Sequence, residues 1–221
     1  MTAPSSDKSF VLYGSPHSLP TYKVALLLAM CAEPFSFRYV SFQKGVHKEP
    51  WFVALSRWGQ VPVLLDRGTP HTQSAAVVEH LSATLGRFGG ADATARQAVR
   101  EWLYWNVDAL FPAVFIGYGV ELGRRNLLPI SFEPAVEAYH LRRAETAFGV
   151  LDAHVGADRF LCDAGPTIAD LFCLGDIAFA EICHMDLARW PNVVAWVARL
   201  RALPGYRAPF ELLDMKDLEF D

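Results

Sequence analysis

This sequence of 221 residues has no long hydrophobic run, no large surplus of one charge and no paired-cysteine motif, and each absence removes a class of protein. The longest unbroken apolar stretch, Val24 to Ala32, is nine residues. That is about half of the ~20 needed to cross a bilayer, so it reads as a buried helix and no membrane association is expected. Twenty Lys and Arg stand against twenty-four Asp and Glu, a formal net charge of -4. The balance is too even for the basic footprint of a nucleic-acid-binding surface. Cys31, Cys162, Cys173 and Cys183 lie far apart in apolar surroundings without a Cys-x-x-Cys pair, so core packing is expected of them rather than redox or zinc chemistry. Zinc-ligand spacing, a Gly-rich phosphate loop after a strand and a Gly-x-Ser-x-Gly elbow are all missing, and no metal is expected. Gly117-Tyr118-Gly119, with Gly123 beyond, imitates a dinucleotide fingerprint but lies in a helical region with no strand before it. The first ten residues carry Asp7 and Lys8 and lack the positive start and apolar core of an export signal. A cytoplasmic location is therefore expected.

What is present is a globular composition, 52% hydrophobic and 20% charged, which excludes disorder as the main reading. Up to about residue 88 short β-rich runs alternate with helical ones. Phe10 to Tyr13, Phe37 to Phe42, Val61 to Leu65 and His71-Thr72 read as strands, with a turn at Gly68-Thr69-Pro70. Pro20 to Ala32, Pro50 to Leu55 and Ser74 to Leu85 read as helices. The order is βαβαββα, an α/β unit. Gly86 to Gly90 reads as a linker, after which only helical segments follow: Ala93 to about Leu122, Glu133 to about Val155, Thr167 to Cys183 and Pro191 to Leu203. Thr167-Ile168-Ala169-Asp170 is a capping box ahead of an apolar run. Two domains are expected, residues 1–88 and an all-α bundle over 89–221. The first carries eight basic and five acidic residues, the second twelve and nineteen, so an anionic ligand favours the first.

Four places in the first half could carry chemistry. Ser18 lies between the first strand and first helix, where a hydroxyl can donate to an anion. His47-Lys48 could hold a carboxylate or belong to a solvated loop. Gln60-Val61-Pro62 stands ahead of a strand, where the Val61 backbone is free to pair with an extended ligand. Gln73-Ser74 opens a helix whose first N–H groups and dipole suit a negative group, although Ser74 could equally cap its own helix.

Taken together, Ser18, His47-Lys48, Gln60-Val61-Pro62 and Gln73-Ser74 resemble the glutathione site of soluble glutathione transferases, above all the serine-type phi and theta classes. Gly45-Val46-His47-Lys48-Glu49-Pro50 through Leu55, followed by Gly59-Gln60-Val61-Pro62, is the most specific stretch. Glu101-Trp102-Leu103 and the aromatic-rich continuation past Phe111-Pro112 are similar to the start of that family's second domain. The resemblance implies a thioredoxin-like domain, then a helical one, in a homodimer. It implies that Ser18 donates to the glutathione sulfur, with Ser15 and Tyr22 as lesser candidates. His47 and Lys48 would hold the glycine carboxylate, Val61 would pair through its backbone with the cysteinyl portion, Gln73 with Ser74 would hold the γ-glutamyl carboxylate, and Gln60 would belong to the same glutathione-binding set. Pro62 would be cis, and Phe111, Phe115 and Tyr118 would line the pocket of an apolar electrophile. The implied reaction is conjugation of the glutathione thiolate to small hydrophobic electrophiles. A glutathione-dependent peroxidase or isomerase on the same site, or a binding module without turnover, are the alternatives. Ser56-Arg57-Trp58 departs from the Asn-Pro that the family usually carries there, and Gln73 stands where many members have Glu.

Overall fold

The computed structural model describes residues 9–125, 130–156, 159–162, 165–183 and 185–213. The chain divides into two units, one of residues 1–85 with 204–221 and the other of 86–203. In the first, β1 (Phe10–Gly14), α1 (Leu19–Met30), β2 (Phe35–Tyr39), α2 (Pro50–Leu55), β3 (Val63–Asp66), β4 (Thr69–Thr72) and α3 (Ser74–Leu85) follow the expected βαβαββα order. The sheet runs β2-β1-β3-β4. β2 is parallel to β1, and β3 and β4 are antiparallel to their neighbours. This is a thioredoxin-like domain.

α1, which carries most of the nine-residue apolar run, is buried nearly all round, because it packs against β1, α3 and the returning C-terminal segment. That segment, with α9 (Pro209–Leu212), starts at Pro204 and belongs to the first unit. Gly205 adopts φ +87°, and a Cβ there would lie 2.5 Å from the Ala29 carbonyl oxygen. The Tyr22 hydroxyl donates to the Arg207 carbonyl at 2.7 Å. Two strand boundaries differ from expectation. β2 lies two residues earlier, and β3 starts only after Pro62, which has no N–H to donate to a ladder. The turn falls on Arg67-Gly68, so that Pro70 sits in β4, an edge strand where a missing donor is tolerated.

The second unit is helical: α4 (Ala93–Trp105), α5 (Phe111–Arg124), α6 (Pro134–Val155), α7 (Ile168–Ile182) and α8 (Pro191–Arg201). The expected continuous helix over 93–122 is instead two helices joined by a π turn, Asn106–Leu110. Pro112 lacks an N–H to continue the ladder, and the Asp108 carbonyl is taken by the Arg143 guanidinium. The Asn106 amide points inward and donates to Asp176 Oδ2 at 2.7 Å. α7 starts at the capping box that the sequence announces. Both oxygens of Asp170 are doubly engaged: Oδ1 accepts from Leu161 N and Trp196 Nε1 at 2.9 and 3.0 Å, Oδ2 from Thr167 N and Oγ1 at 2.8 and 3.1 Å. No helix among the described residues is long and apolar enough to cross a membrane.

Candidate active site

The register of the sheet decides where the four segments go. Tyr39 faces Gly14, Tyr13 faces Val63, and Val63 faces Thr72. The segments leading to Ser18, His47, Val61 and Gln73 therefore all leave the same end of one sheet. With strands ~4.8 Å apart, that row of four is about 14 Å long, room for a tripeptide of roughly 10 Å laid across it.

Ser18 is the N-cap of α1. Its Oγ accepts the Thr21 N–H at 3.2 Å, and an oxygen that accepts in this way still has its own proton to give. The loop before it is tight: a Cβ on Gly14 would lie 2.1 Å from Thr21 Cγ2. Only glycine lets the end of β1 approach the first turn of α1. Of the two lesser candidates, Tyr22 is fully buried with its hydroxyl committed to Arg207. Ser15 is buried too, its Oγ accepting from His17 N at 3.3 Å. Burial also lowers the pKa of His17, whose ring packs on Phe210 at 5.3 Å.

His47 lies in a short 3₁₀ turn, Val46–Lys48, with its ring 4.7 Å from Phe42 and its Nδ1 buried without a hydrogen-bond partner. Lys48 is exposed. The His47 carbonyl abuts the next turn, 3.0 Å from where a Cβ on Gly59 (φ +58°) would stand. That turn lacks the proline that the resemblance leads one to expect and is held another way. Buried Ser56 donates its hydroxyl to the Gln60 carbonyl at 3.0 Å and accepts the Gln60 N–H at 3.3 Å. The Val61-Pro62 bond that follows is cis. Its flank is packed, since Val61 lies against the cluster of Val40, Phe52 and Val63.

Gln73 takes the left-handed conformation at φ +66°, unusual for a residue with a side chain. It turns the chain from β4 into α3, so that the helix opens at Ser74 with its first N–H groups facing outward from the sheet end. The Gln73 amide donates to Gln60 Oε1 at 3.3 Å, joining two of the sequence-predicted segments directly.

The aromatic trio belongs to the other unit, on α5. Tyr118 is buried edge-on against Phe179 at 4.9 Å, and burial pushes its hydroxyl pKa upward. The Phe111 and Phe115 rings lie 5.4 Å apart, tilted by 33°, and Phe115 is 43% exposed. None of the four cysteines forms a disulfide. Cys31 caps the far end of α1 from Ser18, and burial raises the Cys183 thiol to about 12. One cluster went unforeseen in the sequence: Asp66, His71 and His80, from β3, β4 and α3, meet with their ligand atoms within 4.8 Å of one another. Spacings of five and nine residues across three elements match no metal motif.

A thioredoxin-like domain followed by an all-helical one, with a peptide-sized row of segments at one sheet end, defines the class. The family profiles then match in two parts, the Glutathione S-transferase N-terminal domain over residues 17–84 and the C-terminal domain over 75–199. The chain belongs to the glutathione S-transferase family. Glutathione S-transferase 3 of Zea mays is 28% identical over 213 residues, 89% of this chain and 90% of its own. The Disulfide-bond oxidoreductase YfcG of Escherichia coli is 25% identical over 191 residues, 83% and 86% of the two chains. A crystal structure of a glutathione S-transferase from Xanthobacter autotrophicus is 30% identical with a TM-score of 0.81, covering 93% of this chain and all of that one. Solved structures that share the fold alone, at 16% and 20% identity, include complexes with glutathione and with oxidized glutathione. Family membership makes this a glutathione-dependent enzyme.

Proposed function

We propose that the protein conjugates the glutathione thiolate to small hydrophobic electrophiles, with Ser18 as the hydroxyl that stabilises the sulfur anion. The observation that supports this reading is that the segments leading to Ser18, His47, Val61 and Gln73 leave the same end of a single sheet. His47 and Lys48 take the glycine carboxylate, the Val61 backbone and Gln60 take the cysteinyl portion, and Gln73 with the first turn of α3 takes the γ-glutamyl carboxylate. Phe111, Phe115 and Tyr118, on α5, supply apolar surface for the electrophile. The chain works in the cytoplasm as a homodimer.

The energetics are of the right size. A free thiol has a pKa near ~8.5, and bringing it down by about two units takes ~2.7 kcal/mol. A charge-assisted hydrogen bond gives ~1.5–3 kcal/mol and a helix N-terminus ~0.3–1. Ser18 stands where both act, at the start of α1. The thiol proton leaves to solvent, the sulfur lone pair forms the new bond to carbon, and the leaving group departs with its electrons or, in an addition, the acceptor carbon is later protonated. Thiol–disulfide exchange through the protein's own cysteine has less support, because the described thiol of the first unit, Cys31, lies at the opposite end of α1.

The test has two arms. Retention on immobilised glutathione with elution by free glutathione is expected, together with turnover of a chlorodinitrobenzene-type electrophile. Retention without turnover would favour a binding module, and reduction of peroxides or isomerisation in place of conjugation would reassign the reaction on the same site.

A further inference from the structure

We propose that Asp66, His71 and His80 form a binding site for one borderline divalent transition-metal ion, of the Zn²⁺, Ni²⁺ or Co²⁺ kind, that ties α3 to the β3–β4 hairpin. His80 Nε2 and Asp66 Oδ2 are 2.9 Å apart. The His71 and His80 rings stack at 3.8 Å with only 17° between their planes. The second oxygen of the carboxylate, Asp66 Oδ1, is buried and has no hydrogen-bond partner, although the Asp66 side chain is only 11% exposed. A buried carboxylate oxygen with nothing to accept from is costly, and an ion offers it a ligand role. Arg67, the nearest cation, keeps its Nε 4.0 Å from that oxygen, and its side chain is 80% exposed. It is therefore able to swing aside.

The donor set selects the ion. Two imidazoles and a carboxylate suit zinc and its first-row neighbours and disfavour Mg²⁺ and Ca²⁺, which want oxygen alone. Three protein ligands leave at least one position for water or another ligand. His80 is about 30% exposed, so the ion has a way in. The ligands must also rearrange. A metal lies in the plane of each imidazole it binds, and two nearly parallel stacked rings cannot share one. Two donors each ~2.0–2.1 Å from a tetrahedral ion sit about 3.4 Å apart, so His80 Nε2 and Asp66 Oδ2, now hydrogen-bonded at 2.9 Å, must part slightly to admit it. Rotation of one imidazole about its terminal torsion, which is broad for histidine, meets both requirements. The backbone that carries the ligands is held by paired strands and a helix turn, so the side chains alone need move.

The experiment uses the full chain, stripped with chelator and kept free of glutathione, which itself binds metals. Titration with Zn²⁺ alone, read by competition with a chromophoric chelator, should saturate at one ion per chain. Co²⁺ should give visible d–d bands, and either ion should raise the thermal midpoint, since it binds the folded state preferentially. His71→Gln and His80→Gln should each weaken binding at least roughly tenfold. Should either variant fold poorly, paramagnetic Ni²⁺ on the wild-type chain supplies the second readout, broadening the ring proton signals of His71 and His80 before those of the other histidines. Absence of saturable binding at micromolar metal overturns the proposal. So do unweakened binding in a folded variant and broadening that starts at other histidines.

Discussion

Replacing Ser18 by alanine and by aspartate separates the two jobs of its hydroxyl. As N-cap it accepts the Thr21 N–H at 3.2 Å; as thiol partner it donates its proton to sulfur. Alanine loses both. The cap is worth about 1 kcal/mol of stability. The charge-assisted bond is worth ~1.5–3 kcal/mol, so the bound thiol's pKa should rise by about one to two units and conjugation below that pKa should slow about 10- to 100-fold. Aspartate keeps the acceptor and is as good a cap. Ionised, however, it has no proton to give, and at ~4 Å with an effective dielectric near 20 it repels a thiolate by about 4 kcal/mol. The alanine variant should therefore melt earlier and show a pH–rate profile displaced to higher pH. The aspartate variant should melt like wild type and conjugate more slowly than alanine. Thiolate absorbance of the glutathione complex, followed against pH, reads the shift directly. An alanine variant whose profile superimposes on wild type, or an aspartate variant that turns over normally, refutes the reasoning.

Asp170→Asn should cost at least about 2 kcal/mol in urea denaturation, despite its near-identical shape. Whichever way the amide is placed, its NH₂ faces a backbone N–H, that of Leu161 or of Thr167; a neutral result would mean the carboxylate is not the organiser of α7. His17 supplies a pH dependence. Its folded pKa lies below the ordinary 6.5 because it is buried, so the unfolded chain takes up the proton first. This contribution is complete above about pH 6.5 and is lost as pH falls through that value toward the folded pKa. His17→Gln should shrink the drop in thermal midpoint between about pH 7.5 and about pH 5.5, and an equal drop in both proteins would exclude His17 as its source.

The features legible in the sequence were local ones. The capping box at Thr167 and Asp170, the helix opening at Ser74 and the proline that starts α2 each declare themselves within four residues. The order of elements in the first unit follows from such signals. By its own chemistry the candidate site was legible only as separate fragments, which the family resemblance joined, because what brings the segments of Ser18, Val61 and Gln73 to one sheet end is strand register, a property of pairing rather than of either strand. Other features depended on partners far away in the chain. Pro70 reads as a turn former until its strand is known to be an edge. The Asn106 amide in the π turn finds its acceptor on Asp176, seventy residues on. Asp66, His71 and His80 share no period at all.

The return of residues 204–213 to the first unit has a consequence for how that unit is made. During synthesis all of its strands have emerged once Leu85 has left the ribosome, but the Tyr22 hydroxyl then lacks the Arg207 carbonyl, and the groove at Ala29 lacks Gly205. Those arrive only after the whole helical unit has been translated. A nascent chain must hold the lobe unfinished for that interval, and an excised lobe stopping at residue 85 would carry the same exposed seam permanently unless the final segment were spliced back on.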